Sequence, residues 1–287
     1  MSRIAYVNGR YVPHADAVVH IEDRGYQFAD GVYEVVLIHN GAMVDELPHL
    51  DRLDRSLREL RIAAPMTRPA LRSVMRELLR RNRIRTGLIY MQATRGVARR
   101  DHPFPKNPVT ALVMTAKRVS LPSAATVENG VKVISIRDIR WERCDIKTVA
   151  LLPNVLGKQQ AKEAGAYEAW QVDDNGYVTE GTSTNAWIVT KDGELVTRNA
   201  NQSILNGITR LTLLKLAERE KLRFVERGFT LEEAKQAREA FVSSATSFVT
   251  PVTQIDDAVV GNGKAGSVGL GLREAYLAYA AGEGRTP

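Results

Sequence analysis

A lysine placed directly before an apolar run is the first feature of this chain that suggests chemistry. Lys147 precedes the largely apolar segment 148–152. An amine in an apolar setting favours its neutral form, which condenses with aldehydes to give a Schiff base. Most lysines are instead solvated surface residues, so Lys147 taken alone leaves that alternative open.

Three downstream segments could supply the groups that such a lysine needs. Glu180 lies at the end of a β-type run, where its carboxylate could pair with a protonated ring nitrogen. Gly207 opens a helical pattern, and the first N–H groups of a helix are suited to a phosphate. A hydroxyl-rich loop follows at 243–247. A Schiff-base lysine, a ring-nitrogen carboxylate and a helix-terminus phosphate site are the contacts that pyridoxal phosphate (PLP) requires. Each segment alone also fits a strand end, a helix cap or a turn.

The first third of the chain predicts an α+β unit with antiparallel strands joined by short turns. Asn8-Gly9 and Asn40-Gly41 are strong hairpin signals. Leucines at helical spacing predict a helix around residues 50–60. The other predicted elements are strands at 31–38, 88–94 and 109–116 and a helix at 68–82.

The residues between 117 and 130 have the composition of a linker and give the best domain boundary. We therefore predict a small N-terminal domain at 1–120, a linker at 121–130 and a larger domain at 131–287. The elements predicted beyond the linker are strands at 131–136, 167–172, 186–189, 222–225 and 240–243 and helices at 156–164, 208–219, 230–236 and 272–279.

Length and composition indicate a soluble globular protein. The chain has 287 residues, of which 44% are hydrophobic and 25% charged. Its one cysteine, Cys144, cannot form an internal disulfide, which fits a reducing compartment. The first residues lack the apolar region of a signal peptide, and no apolar run is long enough to span a membrane. We expect a cytoplasmic protein.

The net charge of +7 raises the possibility of an anionic partner. The densest arginine run, at 72–85, also carries apolar residues at helical spacing, which favours a solvated helix face over a nucleic-acid surface. The glycines at 261–266 match a dinucleotide-binding pattern, but the chain ends too soon to complete that fold, so we interpret them as a turn. The five histidines are scattered, and metal chemistry is not indicated.

Four motifs, in this order along the chain, resemble the fold-type IV PLP-dependent transaminases, and among them the D-amino acid transaminases. The resemblance extends from about residue 3 to 257. It implies a two-domain α+β fold, with a smaller sandwich-like N-terminal α/β domain and a larger barrel-like C-terminal domain surrounded by helices. The motifs are Asp23-Arg24-Gly25-Tyr26-Gln27-Phe28-Ala29-Asp30-Gly31-Val32-Tyr33-Glu34-Val35-Val36, Arg143-Cys144-Asp145-Ile146-Lys147, Thr179-Glu180-Gly181-Thr182-Ser183-Thr184-Asn185 and Asn206-Gly207-Ile208-Thr209-Arg210.

The resemblance also implies a role for each cofactor residue. Lys147 would form the Schiff base and carry the proton between the substrate Cα and the cofactor. Glu180 would keep the ring nitrogen protonated. The other implied cofactor contacts are Arg52, the backbone N–H groups of Ile208 and Thr209, and nearby Thr246 at the phosphate, with Leu205 against the ring face. Ala245 departs from the family, in which a hydroxyl is expected, and this puts one phosphate contact in doubt.

In D-amino acid transaminases an Arg-x-His pair reaches the active site of the other subunit and binds the α-carboxylate together with a tyrosine. The matching residues are Arg100, His102 and Tyr33. A guanidinium is suited to bind a carboxylate through two hydrogen bonds. Arg99 is an alternative for this role, and a solvated loop arginine is the other interpretation.

The resemblance therefore implies a homodimeric transaminase that moves an amino group from a D-amino acid to a 2-oxo acid in two half-reactions. D-alanine and 2-oxoglutarate are the expected pair. Branched-chain L-amino acid transaminases, (R)-amine transaminases and aminodeoxychorismate lyase share the cofactor motifs and remain alternatives. A basic nucleic-acid-binding module is an alternative from a different class, which salt-dependent binding would reveal.

Overall fold

The computed structural model describes residues 3–282, which divide into two compact units. The N-terminal unit contains the chain up to Ser120 together with the segment Ile146–Leu151. The C-terminal unit contains Leu121–Asp145 and the chain from Leu152 onward. The boundaries at 1–120, 121–130 and 131–287 stay a prediction. The short segment that carries Lys147 belongs with the N-terminal unit.

The N-terminal unit is built on a six-stranded sheet in which every neighbouring pair is antiparallel. The order of strands is β2-β1-β6-β5-β3-β4. Asn8, Gly9, Asn40 and Gly41 all have positive φ, so both predicted hairpin turns are confirmed. The strands are β1 (Ile4–Val7), β2 (Arg10–Pro13), β3 (Gly31–His39), β4 (Ala42–Met43), β5 (Gly87–Thr94) and β6 (Ala111–Lys117).

Two amphipathic helices and one short helix complete this unit. They are α1 (Arg24–Phe28), α2 (Glu46–Glu59) and α3 (Arg68–Asn82). The leucine face of α2 and the apolar face of α3 pack with the sheet in one buried cluster, as the helical spacing predicts. On α3, Arg72 pairs with Glu46, and Arg80 and Arg81 pair with Glu77, so much of the arginine run is used in ion pairs.

The C-terminal unit is built on a mixed nine-stranded sheet with the order β12-β11-β10-β13-β14-β7-β8-β9 and β15 beside β14. Strand β9, last in this order, also contacts β10, so the sheet curls back on itself. The expected α+β fold with a barrel-like second sheet is therefore confirmed. The strands are β7 (Val131–Arg137), β8 (Glu168–Val172), β9 (Val178–Gly181), β10 (Asn185–Val189), β11 (Leu195–Thr197), β12 (Phe224–Glu226), β13 (Glu239–Ser244), β14 (Phe248–Ile255) and β15 (Ala258–Val259).

Helices surround this sheet, and two buried aromatic side chains stack on neighbouring strands. Trp187 on β10 and Phe241 on β13 are directly opposite in register and stack at 5.4 Å between ring centroids. The glycine-rich segment 261–266 forms turns between β15 and the last helix, as predicted. The helices are α4 (Ala124–Asn129), α5 (Leu152–Glu163), α6 (Ile208–Arg219), α7 (Leu231–Lys235) and α8 (Ser267–Ala281).

The elements that were not expected from the sequence include two short helices and one long strand. Helix α1 has only five residues, too few to give a periodic signal. Helix α4, which begins after the capping residue Ser123, lies within the predicted linker. Strand β14 contains Pro251, which argues against a central strand. The structure accommodates this proline because the pairing of β14 with β7 begins only at Val252.

Candidate active site

Lys147 lies on a short extended segment that runs along β3 in the N-terminal unit. Its carbonyl accepts the N–H of Tyr33 at 3.0 Å, and its own N–H lies 3.4 Å from Oγ of Ser56 on α2. The amine Nζ is 4.2 Å from the centroid of the Tyr33 ring. Strand β3 and helix α2 therefore hold the backbone of Lys147, and its amine lies over an aromatic face.

The same strand carries a fully buried carboxylate that the sequence analysis did not single out. Oε1 of Glu34 accepts a hydrogen bond from Nε of Arg52 at 2.7 Å, and Oε2 accepts one from Nη2 of Arg52 at 2.9 Å. Nδ1 of His49 lies 2.8 Å from the same Oε2. Burial alone would raise the pKa of Glu34, but the charge of Arg52 and these hydrogen bonds lower it to about 2. The orientation of the Arg52 guanidinium, which was predicted to bind phosphate, is thus set by Glu34.

The two residues predicted to bind the substrate carboxylate lie in the loop after β5, and we call residues 96–102 of this loop the clamp loop. Both Arg100 and His102 are exposed, as is Arg99. Within residues 3–282, neither Arg100 nor His102 forms a hydrogen bond or ring contact with Tyr33. One chain therefore holds Tyr33 beside Lys147 and keeps the clamp loop on its surface.

Glu180 lies at the end of β9 in the C-terminal unit and is held by three neighbours. Nη1 of Arg140 donates to Oε1 at 2.5 Å, and the N–H of Leu205 donates to the same oxygen at 3.1 Å. Nδ2 of Asn185 donates to Oε2 at 3.1 Å. Leu205, predicted as a packing residue, also orients Glu180 through its backbone. Donors on both oxygens fix the plane of this buried carboxylate.

Arg140 is the buried arginine that binds Glu180, and it also binds Asp138. Nη2 of Arg140 donates to Oδ2 of Asp138 at 2.7 Å. Burial alone would lower the pKa of Arg140, but the hydrogen bond to Asp138 and the charges of Glu180 and Asp138 raise it well above its usual value. Arg140 is therefore permanently cationic and keeps a positive charge against Glu180.

The hydroxyl residues that follow Glu180, in the turn between β9 and β10, bind a second buried carboxylate. Glu168 on β8 is fully buried and accepts hydrogen bonds from the hydroxyl groups of Thr182 and Ser183. Nζ of Lys158 lies 3.3 Å from Oε1 of Glu168. These contacts explain the run of hydroxyl residues after Glu180, whose side chains bind a buried carboxylate.

The N-terminus of α6 has the features of a phosphate site. Gly207 is its capping residue, and a Cβ at this position would lie 2.1 Å from Oδ1 of Asn185, so only glycine fits. Ile208 and Thr209 occupy the first turn, where backbone N–H groups have no partners within the helix. Oγ1 of Thr209 is buried and has no hydrogen-bond partner among the described residues. A buried donor without a partner at a helix N-terminus fits a bound phosphate.

The hydroxyl-rich loop forms the tight turn between β13 and β14. Oγ of Ser244 lies 2.7 Å from Oγ of Ser247 and 3.3 Å from Oγ1 of Thr246. Thr246 is exposed, whereas Ser247 is buried. Ala245 lies at the tip of this turn, so Ser244 and Thr246 are the hydroxyl groups that flank the position where the family is expected to carry one.

The candidate residues form two groups, one around Lys147 in the N-terminal unit and one around Glu180 in the C-terminal unit. Sequence reasoning missed three residues of these two groups: Glu34, Arg140 and Asn185. Glu34 and Asn185 lie within the motifs that carried the resemblance, and a charged residue in the middle of the β-branched strand at 31–38 was the available signal for Glu34. Arg140 precedes its motif and has no distinctive spacing. Only its burial against Glu180 reveals it.

Comparison with known proteins agrees with this geometry. The family model described as amino-transferase class IV matches residues 31–255. A D-alanine aminotransferase of Staphylococcus haemolyticus is 42% identical over 275 residues, which is 96% of each chain. One of Bacillus licheniformis is 41% identical over 259 residues, 90% of each chain. A branched-chain amino acid aminotransferase from T.th., solved with pyridoxamine 5'-phosphate, superimposes with a TM-score of 0.90 at 27% identity, covering 99% of this chain and 96% of that one.

The fold and the two groups of residues define a class IV aminotransferase, and the chain belongs to that family. It is a PLP-dependent transaminase whose substrates are amino acids and 2-oxo acids. The expected enzyme class and cofactor are confirmed. Among residues 3–282, no helix is both long enough and apolar enough to cross a membrane.

Proposed function

We propose that this chain transfers the amino group of D-amino acids, with D-alanine as donor and 2-oxoglutarate as acceptor. The observation that carries the proposal is its 42% identity to a D-alanine aminotransferase across 96% of both chains. The branched-chain enzyme reported above resembles the chain at only 27% identity, which favours the D-amino acid activity over the branched-chain one.

When bound, PLP supplies an aldehyde that takes up the amino group and a ring that withdraws electrons from the substrate Cα. Lys147 would hold the aldehyde through Nζ, and the same amine would move the proton at Cα. Two contacts support this role. Nζ lies over the Tyr33 ring, and the backbone of Lys147 is fixed by its hydrogen bond with the N–H of Tyr33, so the amine is held in one place. Glu180 would pair with the ring nitrogen, and Leu205 would pack against the ring face. Arg140 and Asn185 keep the Glu180 carboxylate in one orientation.

Arg52, the backbone N–H groups of Ile208 and Thr209, and Thr246 would hold the phosphate. The buried Oγ1 of Thr209, which lacks a partner among the described residues, supports this assignment. Glu34 sets the orientation of the Arg52 guanidinium by accepting two hydrogen bonds from it. A guanidinium oriented in advance loses less entropy when it binds an anion.

The substrate carboxylate binds to Tyr33 of one subunit and to Arg100 and His102 of the other subunit in a homodimer. The exposure of Arg100 and His102 supports this arrangement, because surface side chains can reach a partner. Arg99 is the alternative guanidinium. We also place the enzyme in the cytoplasm, since its single cysteine, Cys144, fits a reducing compartment.

An absorption spectrum of the PLP-loaded protein tests this function directly. We expect a visible band that disappears on addition of D-alanine and persists on addition of L-leucine. Loss of the band with L-leucine alone would assign the chain to branched-chain L-amino acids. If no visible band forms even with added PLP, the proposed role of Lys147 is wrong. Lys147→Ala is the matched control, because it removes only the amine that binds the aldehyde.

A further inference from the structure

The clamp loop is attached to the segment that contains α1. The N–H of Arg24 donates to the carbonyl of Gly96 at 2.9 Å, and the N–H of Ala98 donates to the carbonyl of Glu22 at 3.2 Å. These two hydrogen bonds run in opposite directions between the same two segments. The first half of the clamp loop therefore keeps a fixed position relative to α1.

The side chain of Arg24 extends this attachment to the far end of the loop. Arg24 is 4% exposed, and each of its three side-chain nitrogens donates to a different residue. Nε donates to Oδ2 of Asp30 at 2.8 Å. Nη1 donates to the carbonyl of Asp101 at 2.6 Å, and Nη2 lies 3.2 Å from the carbonyl of His102. The guanidinium therefore holds the backbone directly beside Arg100 and at His102.

Phe28, at the other end of α1, contacts the side chains that this backbone carries. Its ring centroid lies 4.7 Å from Cζ of Arg24 and 5.0 Å from Cζ of Arg100. The ring of His102 lies 5.5 Å from the same centroid. Arg24, Arg100 and His102 thus surround one aromatic ring, which provides a surface for both exposed side chains of the loop.

Helix α1 is itself fixed firmly enough to act as a support. Asp23 caps the helix, because its Oδ1 accepts a hydrogen bond from the N–H of Gly25 at 2.8 Å. Oδ2 of Asp23 accepts a second hydrogen bond from Oγ1 of Thr94 at 3.0 Å. A Cβ on Gly25 would lie 2.2 Å from Cγ2 of Thr94, so the helix approaches the end of β5 as closely as the backbone allows. The loop is thus held by an element that is anchored to the sheet.

We propose that Arg24 is a positioning residue for substrate binding, which fixes the clamp loop so that Arg100 and His102 present one geometry to the substrate α-carboxylate. Arg24 acts through the carbonyls of Asp101 and His102 and through the ring of Phe28. It touches neither substrate nor cofactor. The inference rests on the proposed role of Arg100 and His102. A guanidinium binds a carboxylate through hydrogen bonds of defined geometry, so a loop released from Arg24 loses affinity for the α-carboxylate.

Two substitutions of Arg24 separate its charge from its three hydrogen bonds. Arg24→Lys keeps a cation for Asp30, but its single ammonium group cannot reach Asp30 and both carbonyls. Arg24→Met removes the charge and the hydrogen bonds. We expect both variants to raise KM for D-alanine and 2-oxoglutarate about tenfold or more, with a smaller change in kcat. The dissociation constant of PLP, measured by titration of its absorbance, should stay at the wild-type value.

Arg95→Met is the matched control. Arg95 is buried and binds both oxygens of the same Asp30, but its other hydrogen bonds go to the carbonyls of Leu60 and Arg61. It stacks on Phe104, which lies beyond the clamp loop. We expect Arg95→Met to lower the melting temperature with little change in KM. If it raises KM as much as Arg24→Met does, the effect belongs to the Asp30 ion pairs and the proposal is wrong.

A double variant shows whether Arg24 acts through the clamp. Arg24→Met combined with Arg100→Ala should raise KM by less than the product of the two single effects, because one of the two side chains that Arg24 positions is gone. Multiplying effects would mean that Arg24 acts elsewhere and would overturn the inference. If Arg100→Ala alone leaves KM unchanged, the proposed carboxylate site fails instead. A raised KM in Arg100→Ala with wild-type KM in both Arg24 variants refutes only the role of Arg24.

Discussion

Replacing Glu34 by glutamine tests the ion pair that orients Arg52. Glu34→Gln keeps the size of the side chain and removes its charge. Because Glu34 is fully buried and bound by Arg52 and His49, the variant leaves a largely buried guanidinium against a neutral amide. Removing one partner of a buried pair is costly, since the remaining guanidinium loses the carboxylate that compensated its charge. We expect a clear loss of stability at neutral pH.

The pKa of Glu34 gives the size and the pH dependence of this loss. Pairing lowers it from its ordinary value of 4.5 to about 2. At about 1.36 kcal/mol per pH unit, this difference corresponds to about 3 kcal/mol. Since the folded-state pKa lies below the unfolded-state value, the stabilisation is fully present above pH 4.5 and is lost as the pH falls through 2. The cost of Glu34→Gln should therefore be clearly smaller at pH 3 than at pH 7.

Glu77→Gln is the matched control on the same unit. Hydrogen bonds from Arg80 and Arg81 also lower the pKa of Glu77 to about 2. This carboxylate lies on the solvent face of α3, where water screens the charges and little stability depends on them. We expect Glu77→Gln to change the free energy of unfolding far less than Glu34→Gln does.

Urea unfolding, followed by circular dichroism at pH 7, 4 and 3, measures both variants against the wild type. Equal losses in the two variants would show that burial of Glu34 contributes nothing, and the reasoning would be refuted. A loss in Glu34→Gln that stays constant between pH 7 and 3 would also contradict it, because the charge of Glu34 would then not be the source of the stability.

Three further substitutions test the proposed site. Lys147→Ala should bind PLP but lower kcat about 10³-fold, since the group that moves the proton is lost; normal turnover would exclude Lys147. Arg100→Ala should raise KM for amino acids about tenfold or more at wild-type PLP affinity, because a charged hydrogen-bond pair is removed. An unchanged KM would transfer this role to Arg99 or elsewhere. Thr209→Val should weaken PLP binding about tenfold in an absorbance titration, as one hydrogen bond to a charged phosphate is lost. Unaltered affinity would show that Oγ1 of Thr209 does not bind the phosphate.

Local sequence patterns predicted most of the secondary structure. The helices at 68–82 and 208–219 have the predicted bounds, because each has an apolar face at helical spacing and a recognisable start. The hairpins at Asn8-Gly9 and Asn40-Gly41 follow from residues that adopt positive φ. Helix α1 and strand β14 could not be predicted in this way. Helix α1 is too short to show a helical period. Strand β14 contains Pro251, and whether its missing N–H breaks a strand depends on which neighbour lies beside it, which the sequence does not show.

The sequence by itself determined the family, because four motifs in one order are far more specific than any one of them. With the family came the proposed roles of Lys147, Glu180 and the helix start at Ile208. Only the tertiary structure decided which groups orient the residues of the proposed site. Glu34 meets Arg52 across 18 positions, Arg140 meets Glu180 across 40, and Arg24 meets the carbonyl of Asp101 across 77. Hydrogen bonds between such distant residues depend on strand pairing and burial, which no local pattern in the chain records.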